Sequence, residues 1–183
     1  MNILVINGSP KGKNSVTLQT CNYLQILHPE HNFRILHAGQ TIKALEKDFS
    51  SAVAAIAEAD LLLFSYPVYT FVAPCQLHRF IELMKENGVK TEGKFATQFS
   101  TSKHFYDITA HNYIRDNCFD MDMKYIKGLS ADMDDLLSEK GQKEAKEFFD
   151  FVIWNAKNNF FETAPKKPSK PKNLPVSVPE NAE

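Results

Sequence analysis

Ile3-Leu-Val-Ile-Asn-Gly-Ser-Pro-Lys-Gly-Lys-Asn-Ser-Val-Thr17 passes from an apolar segment through a small-residue turn into a stretch that opens with hydroxyls. Met1 to Ile6 is rich in branched apolar side chains without polar alternation, the pattern of a strand buried on both faces of a parallel sheet. Gly8-Ser-Pro-Lys-Gly12 breaks that strand, and a helix is expected to begin near Asn14 or Ser15. The first amides of such a helix have no partners inside it and its dipole favours an anion, so the loop has the design of a phosphate site. Ser9, Asn14, Ser15 and Thr17 add neutral donors. The competing reading is an ordinary strand-to-helix turn capped by Ser or Asn.

Two better-known phosphate loops do not fit. A nucleotide triphosphatase loop needs four residues between its glycines and then Lys-Ser/Thr, whereas Gly8 and Gly12 enclose three residues and Lys13 precedes Asn14. The dinucleotide fingerprint needs Gly-x-Gly-x-x-Gly, and position 10 is Pro. What remains suits a single monophosphate.

The rest of the chain alternates apolar runs with stretches of helical period, as an α/β domain does. Helices are expected over Val16 to Leu27, Ile42 to Glu58, Gln76 to Asn87, Tyr106 to Asn117 and Gln142 to Phe160. After the first strand, others are expected over Phe33 to His37, Asp60 to Ser65, Lys94 to Ser100 and Met121 to Ile126. The economical assembly is a doubly wound five-stranded parallel sheet in the order 2-1-3-4-5 with helices on both faces. In that order the ligand site lies beyond the carboxyl ends of strands one, three and four, where the winding switches direction; flavodoxin is itself an instance of that rule.

The three loops that would converge there are chemically unusual. Tyr66-Pro-Val-Tyr-Thr-Phe-Val-Ala-Pro74 is too aromatic and apolar for a solvated turn and suits a flat heterocycle. Tyr69 and Phe71 offer ring faces or edges, the backbone near Val68 to Phe71 offers amides, and Pro67 and Pro74 fix the loop's shape. Packing under a helix or in an interface is the plainer use of the same aromatics. Ser100-Thr-Ser-Lys-His-Phe105 adds hydroxyls and an imidazole on the far side.

Together, Asn-Gly-Ser-Pro-Lys-Gly-Lys-Asn-Ser-Val-Thr and Ser-Tyr-Pro-Val-Tyr-Thr-Phe-Val-Ala-Pro resemble the flavodoxin-like NAD(P)H-dependent FMN reductases. The likeness extends in element order over about Met1 to Phe160. It implies that Ser9, Lys11, Asn14, Ser15, Val16 and Thr17 hold the FMN phosphate. It further implies that Pro67, Val68, Tyr69, Thr70 and Phe71 line the isoalloxazine, and that Ser100, Thr101, Ser102 and His104 close the far side. The implied activity is hydride transfer from NADH or NADPH through FMN to a small acceptor such as a quinone, nitroaromatic, azo compound or flavin, with ping-pong kinetics. No side-chain nucleophile is required; His104 is a candidate for assistance, and Cys75, beside the aromatic loop, is read as a buried inert thiol in preference to a redox-active one. A homodimer is also implied, with the aromatic loop and the Phe148, Phe149, Phe151 and Trp154 region as interface material, although core packing explains the latter equally well. Pro-Cys75-Gln-Leu-His78 stands where these reductases often show Pro-Gly-x-Leu-Lys, which makes close backbone approach at position 75 less assured.

Composition bounds the alternatives. The 183 residues, 43% of them hydrophobic, suit one domain over 1–162 followed by a tail, and no apolar run approaches the roughly 20 residues that span a bilayer. Met1 leads straight into the first strand, so a cytoplasmic location is expected. Cys21, Cys75 and Cys118 are too scattered for a disulfide framework, an iron–sulfur cluster or a zinc site. A formal net charge of −1 gives no electrostatic case for nucleic acid or anionic membrane. His104, Asp107 and His111, at helical spacing, and the acidic run Asp132, Asp134 and Asp135 are read as polar faces, not metal sites. From Thr163 onward proline recurs too often for helix or central strand, and four lysines against two glutamates make this tail basic; it reads as an extended linker or a tether. Two further functions stay open: an electron carrier without nicotinamide activity, and a flavin-free scaffold that uses its aromatic loop for protein contacts.

Overall fold

The computed structural model describes residues 1–103 and 107–164. Its elements run β1 (Asn2–Asn7), α1 (Val16–Leu27), β2 (Asn32–Leu36), α2 (Ala38–Leu45), α3 (Ser50–Glu58), β3 (Leu61–Pro67) and α4 (Cys75–Glu86). They continue as β4 (Phe95–Ser102), α5 (Ile108–Asp120), β5 (Lys124–Tyr125), β6 (Leu129–Asp132) and α6 (Glu139–Lys157). All strand pairs are parallel, and the sheet order is β2-β1-β3-β4-β5, the flavodoxin-like winding expected from the sequence.

The absence of alternation in the central strands has a direct structural cause. Ile3, Val5, Leu61 and Leu63 point into one core with Leu18, Leu24, Phe149 and Val152 of α1 and α6. Leu4, Ile6, Leu62, Phe64 and Tyr66 point into the other, against α2 to α5. Both faces of β1 and β3 are thereby removed from water, and every second residue contributes to a separate apolar layer.

Three elements differ from the sequence expectation. The stretch over Ile42 to Glu58 forms two helices because Asp48 Oδ1 accepts from Ser50 N at 2.9 Å and starts a new one, while Phe49 packs on Phe80 with ring centroids 5.3 Å apart. The expected fifth strand is only Lys124–Tyr125, and a second segment, Leu129–Asp132, pairs the same strand β4 further along. Gly128 joins the two, at a place where a Cβ would lie 2.4 Å from Gln98 O. The last helix starts at Glu139, capped by Ser138 Oγ on Gly141 N at 3.0 Å, and ends at Lys157 rather than Phe160. Phe148 and Phe149 of that helix belong to the core, whereas Phe151 and Trp154 are exposed. Pro165 and everything beyond it in the basic tail lie outside the described residues. No described helix is long and apolar enough to cross a membrane.

Candidate functional site

The turn after β1 is built around Asn7, whose side chain is fully buried. Asn7 Nδ2 donates to Gly12 O at 2.9 Å and lies 3.2 Å from His37 Nδ1, while Asn7 Oδ1 accepts from Ser9 N at 3.1 Å. Gly12 takes φ +54°, where a side chain is strained, and residues Gly12–Asn14 form one 3-10 turn before α1. The first bond entering α1 runs from Gln19 N to Ser15 O at 3.2 Å. The amides of Val16, Thr17 and Leu18 thus precede the helical ladder and point out of its start. Ser15 is the N-cap, yet its side chain makes no cap bond, and the first turn holds no acidic residue. This end of the molecule is prepared for an anion by dipole, amides and hydroxyls together.

The loop after β3 is a tight hairpin. Tyr69 and Val72 exchange two backbone bonds, 2.9 and 3.2 Å long, and the central residues Thr70 and Phe71 both have positive φ, 47° and 73°. Such a turn normally carries Asn-Gly. Here it projects Tyr69 and Phe71 toward solvent, each a little under half exposed.

Thr101, near the end of β4, fastens these two regions together. Its hydroxyl lies 2.6 Å from that of Thr17, and its carbonyl accepts from Val68 N at 2.9 Å. The result is a cleft of about 250 Å³ lined by Ser9, Lys11, Ser15, Val16, Thr17, Pro67, Val68, Tyr69, Thr101, Ser102, Lys103 and Met133. Among the described residues two lysines and no carboxylate line it, so its electrostatics favour a negative ligand. A larger hollow of about 820 Å³ lies at the opposite end, against Met84, Lys94 and Asp122, where helices finish in carbonyls and strands begin.

Most of the site residues expected from sequence line this cleft. Asn14 is exposed at the end of the 3-10 turn and does not, nor do Thr70 and Phe71 at the tip of the hairpin. Ser100 lies below the cleft and its hydroxyl meets His111 Nε2 at 2.8 Å. His104 lies outside the described residues. Sequence reasoning missed Asn7, whose role needed the folded turn, together with Met133. Met133 reaches the cleft because β6 extends the edge of the sheet, and that segment is too short to signal itself. Cys75, expected to be buried, is exposed at the start of α4, and Cys21 is buried, its thiol pushed up to about 11 by burial.

The fold and the cleft define a flavodoxin-like protein in which a helix start suited to an anion lies beside an aromatic loop. Residues 1–134 match the model of the NADPH-dependent FMN reductase family, and the chain belongs to that family. Its members are oxidoreductases that use FMN with a nicotinamide nucleotide. No curated protein matches the chain in sequence. Among solved structures, an NADH:FMN oxidoreductase in its apo form superposes with a TM-score of 0.71 at 19% identity, covering 90% of this chain and 91% of its own. General stress protein 14 from Treponema denticola, in complex with FMN, gives 0.64 at 12% identity, covering 84% and 99%. An FMN-dependent NADH-azoreductase from Bacillus anthracis, also in complex with FMN, gives 0.60 at 13% identity, covering 86% and 98%.

Proposed function

We propose that the protein binds FMN in this cleft and passes reducing equivalents from NADH or NADPH to a small flat acceptor such as a quinone, nitroaromatic, azo compound or free flavin. The observation that carries the reading is the convergence of three loops, after β1, β3 and β4, on one cleft lined by hydroxyls, two lysines and the apolar and aromatic residues Pro67, Val68 and Tyr69. The residues fit the group. The amides of Val16 and Thr17, the hydroxyls of Ser9, Ser15 and Thr17 and the Lys11 ammonium meet the needs of a phosphate dianion. Pro67, Val68 and Tyr69 form an apolar wall for the ring system, with Thr70 and Phe71 at its rim. FMN, when bound, supplies the hydride chemistry that no side chain of the protein provides.

The chain's own residues then bind, orient and open the site. Thr101 and Ser102 line the cleft, and their hydroxyls would donate to negative charge on the pyrimidine side of a bound ring. The exposed rings of Tyr69 and Phe71 leave one face of the cleft open, so donor and acceptor occupy the same space in turn and the kinetics are ping-pong. The exposed hairpin also supports the proposal of a homodimer, with Phe151 and Trp154 as a second exposed aromatic surface. Free thiols at Cys21, Cys75 and Cys118 suit action in the reducing cytoplasm. The family match over residues 1–134, to the NADPH-dependent FMN reductases, favours this reading over a carrier without nicotinamide activity.

The test is the visible spectrum of the purified protein after incubation with FMN and desalting, followed by anaerobic addition of NADH or NADPH. Retained flavin that bleaches on addition is the expected result. Flavin that responds only to a chemical reductant would point to an electron carrier, and a colourless protein to a scaffold.

A further inference from the structure

Ser100 is fully buried, and a buried hydroxyl needs partners. Its Oγ lies 2.8 Å from His111 Nε2 and 3.4 Å from Asp107 Oδ2. His111 Nε2 and Asp107 Oδ2 are 3.6 Å apart, too far for a direct hydrogen bond. One bonding order satisfies all three groups: His111 Nε2–H donates to Ser100 Oγ, and the Ser100 hydroxyl donates to the Asp107 carboxylate. Asp107 is the N-cap of α5 but makes no cap bond; its carboxylate serves this cluster instead. His111 stands one turn along the same helix, with Gln98 Nε2 on its backbone carbonyl at 3.0 Å and the Tyr66 ring beside its own.

We propose that Ser100, His111 and Asp107 form a latch that ties the end of β4 to the start of α5 and positions the Thr101 and Ser102 hydroxyls at the flavin cleft. The inference rests on the reading that FMN occupies that cleft. None of the three latch residues lines it, so they act through their neighbours. The neighbour that matters is Thr101, which contacts Thr17 at the start of α1 and accepts from Val68 in the aromatic loop. A shift at Ser100 is therefore passed to all three loops of the site. Apolar residues would fill the same volume without the cost of burying a carboxylate, so the cluster is better explained by the geometry it fixes than by stability.

The experiment is an FMN titration, followed by flavin fluorescence, of the full-length protein and its Ser100→Ala, His111→Ala and doubly substituted variants, with thermal unfolding of each apoprotein alongside. Each single change is expected to raise the FMN Kd about tenfold, since a hydrogen bond within a charged chain is lost. The double variant should lose scarcely more than either, because both break one chain. Asp107→Asn keeps an acceptor for Ser100 and should recover most of the affinity lost in Asp107→Ala. Lower melting temperatures with unchanged Kd would reduce the latch to core packing and overturn the proposal, as would losses that multiply to about a hundredfold in the double variant. A wild-type protein that binds no FMN would overturn both the latch and the flavin reading; wild-type binding with indifferent variants would overturn the latch alone.

Discussion

The turn after β1 and the hairpin after β3 face each other across the cleft, yet they are held by opposite means. The first is relaxed: Asn7 satisfies Ser9 N and Gly12 O, and the one residue at positive φ is a glycine. The second is strained: Thr70 and Phe71, a β-branched and a bulky residue, occupy the left-handed region in a turn that the Tyr69–Val72 pair closes. One side of the site is thus made rigid by hydrogen bonds, while the other retains two costly conformations in exchange for where they place aromatic side chains. On the proposed reading the contrast is a division of labour: a phosphate needs fixed amides, whereas successive flat substrates need an adaptable face.

The strongest way to break the contrast is to disturb the relaxed side. A Cβ on Gly39 would stand 2.3 Å from Gly8 O, a backbone atom with nowhere to move. Gly39→Ala should therefore destabilise the protein by about 3 kcal/mol and abolish FMN binding. Asn7→Ala leaves Ser9 N and Gly12 O without their partner and should cost about 2 kcal/mol, with FMN affinity falling in parallel. Denaturant titration and FMN titration of the same samples check both. If either variant binds FMN normally, the turn after β1 is not the phosphate site.

The opposite result is expected on the strained side. Replacing Thr70-Phe71 by Asn-Gly supplies the residues that such a turn prefers and should stabilise the protein by about 1 kcal/mol, the relief of two left-handed residues less the added freedom of glycine when unfolded. The same change removes the Phe71 ring from the rim, so KM for a flat acceptor should rise by several-fold while the FMN Kd moves little. Thermal unfolding and steady-state kinetics read the two effects. A variant that is both less stable and unchanged in KM would show that the hairpin is not strained for function.

How much of this was legible in the sequence depends on whether the signal was local. The doubly wound sheet could be read because Ile3 to Ile6 and Leu61 to Phe64 are apolar at every position, a pattern that burial on both faces explains. The loops could be read because glycine, proline and hydroxyls cluster in one and aromatics in the other. The break at Asp48 was hidden, since a single side-chain bond to Ser50 overrides a continuous helical pattern. The segment β6 was hidden too, because four residues with no apolar run become a strand only by pairing with β4, and Met133 went unnoticed with it. Ser100 illustrates the limit most clearly: the strand placed it near the site, but only the fold shows that its hydroxyl turns toward His111 and away from the cleft.

Acid should act on the strained side in preference to the relaxed one. The His78 ring, in the first turn of α4 just after the hairpin, stacks on Tyr113 at 4.0 Å, and its Nε2 is buried without a hydrogen-bond partner. Burial holds this imidazole below its ordinary value of 6.5, and the same cause acts on His111 and His31. The unfolded chain takes up these protons near pH 6.5 and the folded chain resists them, so the unfolded state binds more protons as pH falls. The stability these groups contribute is complete above about pH 6.5 to 7 and is lost as pH drops through the lowered folded values. Melting temperature should therefore decline between pH 7 and pH 5.5, and His78→Phe, which keeps the stack on Tyr113 and removes the titrating nitrogen, should make that decline shallower. If the hairpin is the weaker side, KM for the acceptor will rise over the same range before the FMN Kd does; a Kd that worsens first would place the acid-sensitive contacts on the phosphate side and reverse the contrast.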